Sequence, residues 1–233
     1  MTEKKDRRWY GRRTGRKLRP GRQALADARL PQLRIADAGG AGPVDPAACF
    51  DEPVEAVWME IGFGTGEHLA EQARRHPEIG FIGCEPFVNG VAALVAKLTE
   101  TDIANVRIFD DDVRLLLPRL PDGCLERLYL LFADPWPKSR HHRRRITVDA
   151  NLAEFARLLA DGGKLVFASD HHGFAAWSLA NMLARPEFQW TARRAADWRT
   201  QPEGWVETRY QMKARAKGIE AVYLDLERRP RGD

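Results

Sequence analysis

Cysteine is scarce in this 233-residue chain: Cys49, Cys84 and Cys124 are far apart, odd in number and without a C-x-x-C pair. That spacing speaks against a disulfide framework or a zinc site and suits reduced thiols in a cytoplasmic protein. Long apolar runs are missing as well. No stretch reaches about 18 apolar residues, so no membrane span is expected, and the basic N-terminus lacks the apolar segment of a secretory signal. Histidine pairs stand at 141–142 and 171–172 with no third ligand at helical spacing, so no metal is expected. There is no internal repeat.

What is present is charge, unevenly spread. Residues 1–22 hold ten Lys or Arg against Glu3 and Asp6, a net of +8, so the remaining 211 residues net −4 within a total of +4. A segment this polar buries too little apolar surface to offset its ordering entropy, so the arm is expected to be disordered when free. It is either a solubilising tail or a counterion-releasing contact with nucleic acid. Residues 23–53 are rich in Ala, Gly and Pro without a sustained period and read as a loose lead-in.

From residue 54 onward the chain alternates. Strand patterns over Val54–Glu60, Gly80–Glu85, Asn105–Asp110, Arg127–Asp134 and Lys164–Ser169 are separated by helical patterns over His68–Arg75, Phe87–Glu100, Val113–Leu117, Asn151–Ala160 and Gly173–Ala184. Phe188–Arg193 and Ile219–Leu226 add two more strand patterns, with no long helix between them. This order predicts an α/β fold: a mostly parallel, seven-stranded Rossmann-like sheet with helices on both faces and an antiparallel C-terminal edge hairpin.

The first strand ends in Glu60-Ile61-Gly62-Phe63-Gly64-Thr65-Gly66, a glycine turn opening a helix, where backbone can approach a ligand closely. A dinucleotide fingerprint is not matched, since Glu67 stands where the last small residue belongs, and no Gly-Lys-Ser/Thr completes a Walker A loop. Glu60 would repel a pyrophosphate. An acid beside Gly62, Gly64 and Gly66 suits instead a cationic ligand without phosphates, which describes S-adenosylmethionine. Glu85, at the end of the second strand, is placed to hold ribose hydroxyls. Asp112, of the run Asp110-Asp111-Asp112, is the candidate acceptor for the adenine amino group. Asp134 ends the fourth strand, so four successive strands each deliver a carboxylate to the edge where open α/β sheets bind ligands.

After Asp134 come Pro135-Trp136-Pro137 and a cationic strip: Lys138, Arg140, His141, His142, Arg143, Arg144 and Arg145. Trp136 either stacks on a nucleotide or walls the cofactor pocket. Together, Glu-Ile-Gly-Phe-Gly-Thr-Gly at 60–66, Asp-Pro-Trp-Pro-Lys-x-Arg-His-x-x-Arg-Arg at 134–145 and Thr-Arg-Tyr-Gln at 208–211 resemble the bacterial tRNA (guanine-N7)-methyltransferase family, over about Val54 to Leu226. The resemblance implies a class I methyltransferase fold, S-adenosylmethionine as donor and the guanine at position 46 of the tRNA variable loop as acceptor. Residues 46–233 are expected to form the methyltransferase domain and 1–45 a basic, disordered arm and lead-in.

By position, the resemblance implies that Glu60, Glu85, Asp112 and Asp134 bind the cofactor, with Asp134 also catalytic. Lys138, Asp170, Thr208, Arg209, Tyr210 and Gln211 would contact the substrate, and residues 140–145 would touch RNA. Gln211 stands where the family usually has an acid. Two other readings remain open on the residues: a class I methyltransferase for another RNA or a small molecule, and a non-catalytic RNA-binding protein.

Overall fold

The alternating patterns become one seven-stranded sheet in the computed structural model, which describes residues 11–35 and 40–232. Its strands are β1 (Ala56–Ile61), β2 (Ile79–Cys84), β3 (Val106–Phe109), β4 (Leu125–Leu131), β5 (Leu159–Ser169), β6 (Phe188–Trp190) and β7 (Val222–Arg228). They lie in the order β3-β2-β1-β4-β5-β7-β6. The first five are parallel, and β7 inserts between β5 and β6, antiparallel to both.

Period-two patterning explains the layers. Val57, Met59 and Ile61 of β1, with Leu128 and Leu130 of β4, enter one core. Trp58, Tyr129 and Leu131 enter the other. Helices α2 (Glu67–Arg75) and α3 (Val88–Thr101) cover the second face, and α3 contributes Val91, Leu94, Val95 and Leu98, the i, i+3, i+4, i+7 stripe of a core-facing helix. Helices α4 (Asp149–Leu158) and α5 (His172–Leu183) cover the first through Leu152, Phe155 and Phe174. Among the described residues no helix is long and apolar enough to cross a membrane.

Several expectations change. The lead-in holds a helix, α1 (Pro20–Leu33), begun by a proline at its first position and docked on the second core through Leu33. The stretch expected to be helical near 113–117 makes only two three-residue 3-10 turns, Val113–Leu115 and Leu117–Arg119. The fourth strand stops at Leu131 and not at Asp134. The last strand begins at Val222 and not at Ile219, and β6 ends at Trp190. Two short helices, α6 (Ala196–Arg199) and α7 (Arg209–Arg215), lie between β6 and β7. For the site, the decisive feature is that the strand order reverses between β1 and β4, which opens a crevice at their carboxyl ends.

Candidate active site

A cleft of about 680 Å³ occupies that crevice, within the size range of small-ligand sites. Its floor is the glycine turn, where Gly62, Gly64 and Gly66 adopt φ of 77°, 58° and 73°. The left-handed region is open to glycine at little cost, which lets the chain fold back between β1 and α2. The Gly62 amide donates to the Cys84 carbonyl at 2.7 Å, joining the ends of β1 and β2. Gly90 of α3 presses on the turn from outside, and a Cβ there would stand 2.1 Å from the Gly64 oxygen. Gly90→Ala is therefore expected to displace the turn and weaken binding of S-adenosylhomocysteine about tenfold or more, measured by calorimetry.

Two buried acids flank the turn. Glu60 is 3% exposed and accepts a hydrogen bond from His68 Nδ1 at 2.7 Å. Glu85 accepts from the Gly64 amide at 2.8 Å on one oxygen and from the Phe87 amide at 2.9 Å on the other. Burial raises its carboxyl above the ordinary range, and the two amides oppose that rise. Each oxygen retains a lone pair for a ligand hydroxyl.

The three consecutive aspartates separate in space. Asp110 turns away to a two-point ion pair with Arg34 at 2.8 and 2.6 Å. Asp111 and Asp112 line the cleft. Asp111 meets Arg13 at 3.7 Å, while Asp112 caps the turn at 113–115, accepting from the Arg114 amide at 3.1 Å and from its guanidinium. The choice of Asp112 as a cleft acid stands beside a cation that sequence reading did not foresee.

Asp134 lies on the wall between β4 and α4, on a strained loop. Phe132 and Trp136, two residues to either side, take φ of 53° and 40°. Such values are outliers for bulky side chains, cost of order 1–3 kcal/mol each, and persist where the surroundings impose them. Phe132 is why β4 ends early: its amide still reaches the Ala168 carbonyl at 2.8 Å, but the chain then turns out of the sheet. Asp134 is solvent-exposed yet walled by the cleft, and that partial desolvation raises its carboxyl. Trp136 forms part of the same wall.

The cationic strip divides. Lys138, Arg140 and Arg143 are exposed on or beside the short 3-10 helix Ser139–Arg144. Arg144 lies over the Trp136 ring at 5.0 Å. His141 meets the Trp136 edge at 6.0 Å, and its own desolvation plus four surrounding cations lower its imidazole. His142 packs near Trp177 at 5.8 Å.

Arg145 corrects the expectation of an RNA contact. It is 3% exposed, donates to the Pro135 carbonyl at 2.8 Å and the Trp136 carbonyl at 3.4 Å, and stacks over Trp177 at 4.6 Å and Phe174 at 5.2 Å. It holds the Asp134 loop from behind and has no surface left for RNA.

The 208–211 segment forms the roof. Thr208 and Tyr210 line the cleft, and Tyr210 lies across Gly64, its ring 3.6 Å from where a Cβ would be. Arg209 is exposed outside the walls. Gln211 turns inward as well: it is 6% exposed, takes the Trp205 indole N–H at 2.7 Å and donates to the Tyr223 hydroxyl at 2.7 Å. These two bonds make Gln211 an anchor of the roof and leave one N–H and one lone pair of its amide. Asp170, half-buried just past β5, and Lys138 lie outside the cleft walls.

A family model described as a putative methyltransferase matches residues 54–224. A tRNA (guanine-N(7)-)-methyltransferase of Rhodospirillum rubrum is 52% identical, over 99% of this chain and 92% of its own. Proteins of the same name from a Chelativorans species and from Agrobacterium fabrum are 44% and 43% identical, covering 97% and 98% of this chain and 97% and 100% of theirs. The chain belongs to the tRNA (guanine-N(7)-)-methyltransferase family.

Solved structures place that family's fold more widely. The 16S rRNA methyltransferase KamB superposes with a TM-score of 0.55 at 16% identity, covering 76% of this chain and 89% of its own. The [4+2]-cyclase SpnF reaches 0.51 at 15%, covering 91% and 80%. Fold alone therefore does not decide chemistry here. In this member of the tRNA (guanine-N(7)-)-methyltransferase family, sequence reading missed His68, Trp205 and the inward role of Arg145. Only His68 left a trace, as a polar residue on the face of α2 that packs on the sheet.

Proposed function

We infer that this chain transfers a methyl group from S-adenosylmethionine to N7 of guanine in tRNA, at position 46 of the variable loop. The observation that carries the geometry is the junction at Asp134: the acid-lined glycine cleft opens on one side, the basic turn at 138–144 on the other. The names of the relatives supply the acceptor.

The fit to the donor follows from the residues. Glu60 offers a buried carboxylate to an ammonium, Glu85 has lone pairs for two hydroxyls, and Asp112 stands at the far wall for the adenine amino group. When bound, S-adenosylmethionine supplies a methyl group made electrophilic by its sulfonium. Guanine N7 has a free lone pair and no proton to lose, so no residue need act as a strong base. The protein's task is alignment and exclusion of water. Asp134 opposes the positive charge that develops on the imidazole ring of the base.

Because N7 faces the narrow major groove of A-form RNA, the target must be a loop or splayed base. Lys138, Asp170, Thr208, Arg209 and Tyr210 would steady it, while Arg140, His141, His142, Arg143 and Arg144 would meet the surrounding backbone. Incubating the protein with labelled donor and bulk tRNA, then digesting to nucleosides, should yield labelled 7-methylguanosine. A transcript carrying adenine at position 46 should take no label. Label in any other nucleoside, or none, would overturn the reading.

Protonation gives a second test. Burial raises the carboxyl of Glu85, partial desolvation raises that of Asp134, and each acts in its ionised form. Their protons therefore bind more tightly in the folded protein, and kcat/KM should fall on acidification from a pH above the ordinary carboxylate range. The pH–rate profile checks this, and Asp134→Asn should remove part of the acid limb.

The arm also divides. Val88 donates to the Arg13 carbonyl at 2.9 Å, Asn89 bonds Gly15 and Arg16, and Gly11 and Arg12 line the cleft. Residues 1–10 lie outside the described part of the chain. Deleting 1–10 should lower the slope of log tRNA affinity against log salt by about one to two and spare donor binding. Deleting 1–22 should weaken both. Filter binding across a salt series distinguishes these outcomes from an arm that only solubilises.

A further inference from the structure

His68 lies at the start of α2, the helix that the glycine turn opens, and is 2% exposed. Its Nδ1 is 2.7 Å from Glu60 Oε2, and an ionised carboxylate can only accept. Nδ1 therefore carries the hydrogen. The other ring nitrogen, Nε2, is buried with no hydrogen-bond partner among the described residues. A bare lone pair there is less costly than a stranded N–H, so burial selects the same tautomer.

The rest of the ring is boxed by aromatics: Tyr129 edge-on at 4.8 Å and Trp205 tilted at 5.5 Å. Trp205 in turn donates to Gln211, whose backbone amide bonds the Thr208 hydroxyl at 3.2 Å. Thr208 and Tyr210 are the roof of the cleft. One imidazole thus bonds the acid at the cleft floor and packs against Trp205, which bonds the roof residue Gln211.

The geometry points to His68 as a positioning residue for the donor. It pins Glu60 Oε2, so that the carboxylate cannot rotate and Oε1 is presented to the ammonium of the donor's amino acid end. Its ring also packs against Trp205, which keeps the imidazole in place. Without the imidazole, the Glu60 carboxylate would be a buried acceptor with its second oxygen unsatisfied, and it would turn inward or recruit water. This inference rests on the reading of the cleft as a site for S-adenosylmethionine.

The test compares two ligands by calorimetry on the full chain. S-adenosylhomocysteine carries the ammonium that Glu60 would hold. 5′-Methylthioadenosine has the nucleoside but no amino acid end. His68→Leu should weaken S-adenosylhomocysteine about tenfold and leave 5′-methylthioadenosine unchanged. His68→Asn, which keeps a donor near the place of Nδ1–H, should recover most of the loss. The ¹⁵N spectrum of His68 in the unaltered protein should show the hydrogen on Nδ1.

Equal weakening of both ligands would make His68 a merely structural residue and overturn the inference, as would unchanged binding of S-adenosylhomocysteine. If His68→Leu does not fold, His68→Gln, which moves the donor one bond outward, gives the same comparison. An unaltered protein that binds neither ligand would defeat the donor reading itself, a result separate from either of these.

Discussion

Asp134→Ala should lower kcat about 10²–10³-fold at saturating donor and tRNA, the usual loss when one preorganised electrostatic group is removed. The carboxylate is worth this much because its position is set in advance. Phe132 and Trp136 hold left-handed backbone on either side of it, at φ of 53° and 40°, and Arg145 bonds the loop from behind. Asp134→Asn should lose activity too, but with a telling companion effect on stability.

Partial desolvation in the cleft raises the Asp134 carboxyl, so the folded state favours its neutral form. The stabilisation that a proton there provides is present at low pH and is lost as pH rises through the raised value. At neutral pH the ionised group therefore opposes folding, and Asp134→Asn should raise the thermal midpoint while it depresses turnover. Scanning calorimetry beside steady-state kinetics reads both. Near-normal turnover in Asp134→Ala would remove Asp134 from the mechanism.

Arg145→Ala should be nearly as damaging, although its side chain is buried outside the cleft. Its guanidinium bonds the Pro135 and Trp136 carbonyls and stacks on Trp177 and Phe174. Losing those contacts should cost about 2–4 kcal/mol of stability. The loop it braces would relax from its strained backbone, and a displacement of about 1 Å at Asp134 is enough to lose about 10²-fold in kcat. The salt dependence of tRNA binding should not move.

Arg143→Ala, two residues away and exposed, should behave in the opposite way. It should keep kcat and reduce the salt slope by about 0.7–0.9, the share of one phosphate contact. Chemical denaturation, kinetics and a salt series on the two variants separate brace from contact. An altered salt slope in Arg145→Ala would return that residue to the RNA surface.

That pair of arginines shows where sequence reading stops. Residues 143, 144 and 145 are the same amino acid in one run, yet one is exposed, one lies on Trp136 and one is buried. Nothing local distinguishes them, because the aromatic seat for Arg145 comes from α5, some thirty residues on. Gln211 fails in a similar way. Its motif suggested a group reaching for a base, and nothing along the chain showed that Trp205 and Tyr223 would each bond its amide. The early end of β4 was hidden as well, since apolar character runs through Phe132 and Ala133 and only the backbone turn at Phe132 ends the ladder.

By itself the sequence determined the alternation of strands and helices, the glycine turn and the delivery of acids to one edge of the sheet. These depend on side-chain period and on neighbours a few residues apart, which a linear text records. It also carried the family, through motifs at 60–66, 134–145 and 208–211. The tertiary structure alone decided that β7 enters between β5 and β6, that Arg145 turns inward and that His68 grips Glu60. Each of those follows from a partner brought close by the fold, and which partner arrives is settled by packing across the sheet and not by spacing along the chain.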